Sequence, residues 1–90
     1  MIPVIKQTEK EIIGRNSMGE FIRVIATSEG HRIYHSDIGK EPCQLMSVMG
    51  VYVVLNDRGR PQLIAQDELL FILWAIDQLG GAKIPQAGGG

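Results

Sequence analysis

His31, His35, Asp37 and Cys43 are the one sequence cluster in this 90-residue chain with metal-ligand or nucleophile chemistry. Shared zinc ligation needs every donor within about 2.0 to 2.3 Å of one ion. Ile33 and Tyr34 follow a Glu29-Gly30 turn signal, so the segment reads as a strand with both imidazoles on one face. Four strand residues span about 13 to 14 Å, too far for two histidines to meet at one metal. No metal or other cofactor is therefore expected. A Cys43-His35-Asp37 nucleophilic arrangement would need thiolate, base and orienting acid within hydrogen-bond reach, which nothing in the spacing supplies. A lone cysteine is more often a small buried hydrophobe. The expectation is a chain without catalytic activity.

The second set of residues is basic and aromatic. Arg58 and Arg60 flank Gly59, Arg15, Arg23 and Arg32 fall on nearby strands, and Tyr34 and Tyr52 offer stacking surfaces. Single-strand-binding barrels combine cations with such platforms, so Arg58, Arg60, Arg32 and Tyr34 are the contacts of a nucleic-acid reading. Against it, Glu11, Glu20, Glu29 and Asp57 lie close in sequence to those arginines. Nine Lys and Arg against ten Asp and Glu leave a formal charge of -1, so no global field attracts a polyanion. Asn16 to Gly19 lacks the lysine and following helix of a phosphate-cradling loop, which argues against nucleotide hydrolysis.

The third set lies on a helix. Asp67 and Glu68 precede an apolar stretch that ends at Gly80-Gly81, with acids where the helix dipole favours them and glycine at the end. At 100° per residue, Leu69, Ile72, Leu73, Ile76 and Leu79 form the expected core stripe. Leu70, Phe71 and Trp74 fall largely outside it, and Gln78 and Asp67 share the opposite side. Trp and Phe are enriched at the buried centres of interfaces. Leu70, Phe71, Trp74 and Gln78 are thus the expected protein interface, with core packing of the two aromatics as the competing reading. An edge strand after Pro61 would add backbone pairing.

The elements that must position these groups are short β-branched runs punctuated by turns. Runs at 10–14 and 20–27 flank Asn16-Ser17-Met18-Gly19, and 31–35 follows Glu29-Gly30. The stretch 43–50 leans towards strand, and Val51–Leu55, uncharged, is expected to be central and buried on both faces. Asn56-Asp57-Arg58-Gly59 is a type I turn closed by a glycine bulge, returning the chain as a strand at 60–65. Strands first and one helix last predict an α+β domain: a twisted antiparallel meander or open barrel of about five strands, with the C-terminal helix packed on it. One domain is expected over 1–81 and a disordered Gly-rich tail over 82–90. The single cysteine excludes an intramolecular disulfide scaffold, and the longest apolar run, Leu69 to Ile76, is well short of the roughly 20 residues of a membrane span. A cytoplasmic regulatory module is expected, binding a protein partner or itself as a homodimer or higher oligomer. An accessory inhibitor or adaptor of a larger machine, of the bacteriophage type, fits that size.

Overall fold

The first hairpins form because turn chemistry and strand periodicity agree. In the computed structural model, which describes residues 2–81 and 84–87, β1 (Val4–Gln7), β2 (Glu11–Arg15), β3 (Phe21–Thr27) and β4 (Gly30–His35) pair in sequence order as one antiparallel sheet. Between β2 and β3, Asn16 accepts the Gly19 N–H at 3.0 Å through its carbonyl, while its side-chain Oδ1 accepts the N–H groups of Met18 and Glu20. Gly19 sits at φ 85°, where a side chain would be strained.

The second sheet is built on β5 (Gln44–Val48) and β6 (Val51–Leu55), with β7 (Pro61–Gln62) antiparallel on the β6 side and β8 (Gln86–Ala87) parallel on the β5 side. Its β6–β7 turn repeats the first: Gly59 donates to the Asn56 carbonyl at 2.9 Å, Asn56 Oδ1 accepts from Arg58 and Arg60, and Gly59 lies at φ 74°. The expected strand at 60–65 shortens to Pro61–Gln62 and does form an edge. A single antiparallel bridge, Ile33 to Cys43, joins the two sheets without closing them into a barrel. Of the expected tail, Gln86–Ala87 pairs with β5 and Ile84 packs against the core, while 82, 83 and 88–90 lie outside the described residues.

The helix α1 (Gln66–Gln78) closes the fold, and its orientation differs from the expected stripe. Phe71, Ile72, Ala75 and Ile76 are buried with Glu68, whereas Leu69, Leu73, Trp74 and Leu79 only flank the core. The reason lies on β2. Gly14 leaves room for the Phe71 ring, and a Cβ there would stand 2.6 Å from Phe71 Cζ and 2.9 Å from Ile2 Cγ2. Phe71 therefore fills a slot that only glycine opens, and the helix turns to put it there. The core joins the inner face of the first sheet (Ile12, Ile22, Val24, Ile33) to Leu45, Val54 and the helix.

Candidate functional site

Strand pairing fixes which side chains share a face, because residues opposite each other in an antiparallel ladder point the same way. On the first sheet, Ile12, Ile22, Val24, His31, Ile33 and His35 point inwards and are buried. The intervening residues, Glu11, Ile13, Arg15, Phe21, Arg23, Ile25, Arg32 and Tyr34, point outwards, and Lys6 joins them opposite Ile13. This outward face carries four cations and two aromatic rings against one carboxylate. The Arg15 guanidinium lies 5.5 Å from the Phe21 ring centre, and that of Arg23 lies 5.6 Å from the Tyr34 ring centre. Glu11 is held by Lys6 at 3.0 Å and by a short contact from Arg23 Nε. Hydrogen bonds from Lys6 and Arg23 keep its carboxyl below the usual carboxylate range.

The outward face of the second sheet is of another kind. Met46 lies opposite Val53, Val48 opposite Val51, and Leu55 opposite both Gln44 and Pro61. None of these seven residues carries a charge. Leu45 and Val54, on the other side of the same hairpin, are the ones that enter the core. Met46, Val48, Val53 and Leu55 are half-buried yet outside the core and its packed neighbours, and Val51 is 63% exposed. Val51–Leu55 is thus flanked by strands on both edges, as expected, but only Val54 is buried, and Tyr52 on the same side is 43% exposed. At the tip, Met49 takes a left-handed φ of 52° and is 82% exposed.

The two faces meet at a cleft of about 540 Å³ lined by Arg32, Tyr34, Glu41, Pro42, Gln44, Asn56 and Asp57. It lies along the seam where the Ile33–Cys43 bridge links the sheets. Of the nucleic-acid contacts expected from sequence, Arg32 and Tyr34 come together here on β4. Arg58 and Arg60 stand exposed on the β6–β7 turn and do not line the cleft.

The expected helix interface is corrected in part. Phe71 is fully buried, seated over Gly14, so it cannot anchor a partner. Trp74 is half-buried against the core, its ring centre 6.0 Å from that of Phe71. Leu70, 54% exposed, and Gln78 remain on the surface, too little to form an apolar patch.

Beneath the first sheet lies a polar cluster that sequence spacing did not reveal. Glu68 Oε1 accepts the Ala65 N–H at 3.2 Å, capping the helix, and Oε2 accepts from Asn16 Nδ2 at 2.8 Å. His35 Nδ1 accepts the Asp37 backbone N–H, so the ring proton sits on Nε2, 3.2 Å from Glu68 Oε2 but off the line of a well-aligned hydrogen bond. Burial raises the Glu68 pKa, yet hydrogen bonds from Asn16 and the Ala65 backbone, with the close approach of His35, outweigh it and hold the carboxyl below its usual value. His31 Nε2 accepts the Leu45 N–H at 3.0 Å, and burial pushes its pKa down. Cys43 is buried, and burial, with Asp57 second, raises its thiol pKa. His35 accepts the backbone N–H of Asp37, and among the described residues no hydrogen bond joins Cys43 to His35 or His35 to the Asp37 carboxylate. No group of three metal-ligand side chains forms among the described residues, and no described helix is long and apolar enough to cross a membrane.

Comparison with protein-family models, curated proteins and solved structures gives no match for this chain.

Two features of the outward faces were missed from sequence. Phe21 belongs with Arg15, Arg23 and Tyr34, a grouping readable only once the β2–β3–β4 register is known. Met46, Val48, Val51 and Val53 alternate along two adjacent strands, a signal present in the sequence but hidden by the leaning of 43–50 to strand alone and by the expected two-sided burial of Val51–Leu55.

Proposed function

We propose that this chain is a non-catalytic protein-binding module whose partner lays an amphipathic helix across the outward face of the second sheet. The observation that carries this reading is the uncharged surface of Met46, Val48, Val51, Val53, Leu55 and Pro61 outside the core. Five-residue strands give a face about 17 Å long, and three strands give a width of about 10 Å. That width matches one helix, which is about 10 to 12 Å across. It falls well short of the roughly 800 Å² per partner of a stable protein pair, which favours a slender partner element over a homodimer. A helix seated there would present apolar residues at i, i+3, i+4 and i+7.

The test is photo-crosslinking in a lysate of the source cell, with a benzophenone side chain at position 53 and, as controls, at positions 13 and 78. The expected result is one protein crosslinked from position 53 alone, through a peptide of helical amphipathic pattern. Crosslinking to a second copy of this chain would replace the helix with self-association. The same protein captured from position 78 would return the interface to the helix.

A further inference from the structure

We propose that the outward face of the first sheet, together with the cleft at its β4 end, is a binding site for single-stranded nucleic acid. This goes beyond the protein-docking reading and uses the opposite kind of surface.

Two cation–ring pairs stand side by side on this face. Arg15 with Phe21, and Arg23 with Tyr34, place two rings and two guanidiniums on adjacent strands. Tyr34 is directly opposite Arg23, two residues along β3 from Phe21, so the rings are diagonal neighbours about 7 to 8 Å apart along the sheet. Such rings can stack on successive unpaired bases, which a duplex keeps hidden in its own stack. Arg32 and Lys6 extend the cationic surface to either side. The only carboxylate on this face, Glu11, is already neutralised by Lys6 and Arg23.

The cleft sets the polarity of binding. Arg32 stands at its wall, but Glu41 and Asp57 line it too. Two carboxylates repel a phosphate, so the cleft does not hold the backbone. They accept hydrogen bonds from the amino groups of a base, and Gln44 and Asn56 offer both donors and acceptors beside them. One ring face of Tyr34 is covered by Arg23, and its side chain also walls the cleft. A single base therefore turns into the cleft against Tyr34, while the phosphates run over Arg15, Arg23 and Arg32. The overall charge of -1 means that attraction is local, with about three phosphates neutralised and a log–log salt slope of roughly -2.

The experiment is fluorescence anisotropy of the full chain with labelled dodecamers of deoxythymidine, uridine and mixed sequence, and with a duplex of the mixed sequence, across a salt series. The expected result is binding of the single strands at low salt with that slope, and at least tenfold weaker binding of the duplex. Tyr34→Ala and Phe21→Ala each weaken it about tenfold, Tyr34→Phe restores it, and Arg58→Ala leaves it nearly unchanged. Circular dichroism and Trp74 fluorescence verify that each variant is folded. No binding of any oligonucleotide at low salt overturns the proposal. So does affinity untouched by folded Tyr34→Ala and Phe21→Ala, or a duplex bound as tightly as a single strand. Retention of an acidic polyglutamate peptide but of no oligonucleotide would assign the face to protein instead.

Discussion

The two sheets share asparagine-glycine turn chemistry and one core, and differ in what they turn outwards. On the first, alternation along β2, β3 and β4 places Arg15, Phe21, Arg23, Arg32 and Tyr34 opposite the buried isoleucines. On the second, the same alternation places Met46, Val48, Val51 and Val53 outwards. Long cationic side chains keep their heads in water while their stems cover apolar surface, so the first face is fully compatible with solvent. The second gains nothing from solvent, and covering it would remove apolar area from water at about 25 cal/mol per Å². The paired asparagine turns repeat the lesson. Asn16 is tied through Nδ2 to Glu20 and Glu68, binding the first sheet to the helix, whereas Asn56 spends its side chain on its own turn and stands at the cleft.

The largest expected effect abolishes the comparison by removing the scaffold beneath both faces. Gly14→Ala drives a Cβ into the Phe71 ring, and overpacking of this kind costs about 1 to 3 kcal/mol. In a small domain that is a large part of the total stability. A lowered urea midpoint, with both binding activities lost together, is the expected outcome; an unchanged midpoint would mean that the helix is not seated on β2.

Next comes acid, which acts on the buried polar cluster and spares the faces. Unfolded His31 takes up a proton near its usual value of about 6.5, but in the fold burial lowers its pKa. Below that pH the unfolded state binds more protons, so stability falls as the pH drops below about 6.5. Glu68, held below its usual 4.5, contributes stability above that value that is lost as the pH falls through its lowered pKa. Urea unfolding at pH 8, 6, 5 and 4 should show a two-stage decline, with His31→Gln removing the upper stage. A flat profile between pH 8 and 5 would argue against a buried neutral His31.

A smaller effect sharpens the contrast on the second face. Val51 is 63% exposed, so Val51→Glu should shift stability by no more than about 0.5 kcal/mol while abolishing partner crosslinking. The smallest concerns the hairpin tip. Met49 occupies a left-handed position that asparagine favours in such turns, so Met49→Asn should raise the thermal midpoint slightly, by less than about 1 kcal/mol of stability. It should also reduce crosslinking modestly, if the apolar tip extends the docking face.

Much of the fold was legible because local chemistry decides it. Asn16 to Gly19, Asn56 to Gly59 and the Glu29-Gly30 region mark the hairpins, and Asp67-Glu68 to Gly80-Gly81 bounds the helix. The rotation of that helix was not legible. Leu69, Leu73 and Leu79 outweigh Phe71 in any periodicity argument, and only the distant Gly14 reverses the preference. The role of Glu68 likewise depends on Asn16 and His35, remote in sequence and brought under the helix by the sheet. For the candidate sites, Arg32 and Tyr34 were found by residue type, but their grouping with Phe21 awaited the strand register. The apolar content of Val51–Leu55 points to burial on both faces, but composition does not say whether a covering element exists, and only Val54 is buried.

The most direct test of separate outward faces is a crossed pair of folded variants, Val53→Glu and Tyr34→Ala, each assayed for crosslinking of the protein partner at position 51 and for affinity to a single-stranded oligonucleotide. The account predicts that Val53→Glu loses only the crosslink and Tyr34→Ala loses only the oligonucleotide. Loss of both activities in either variant, or of neither in both, would contradict it.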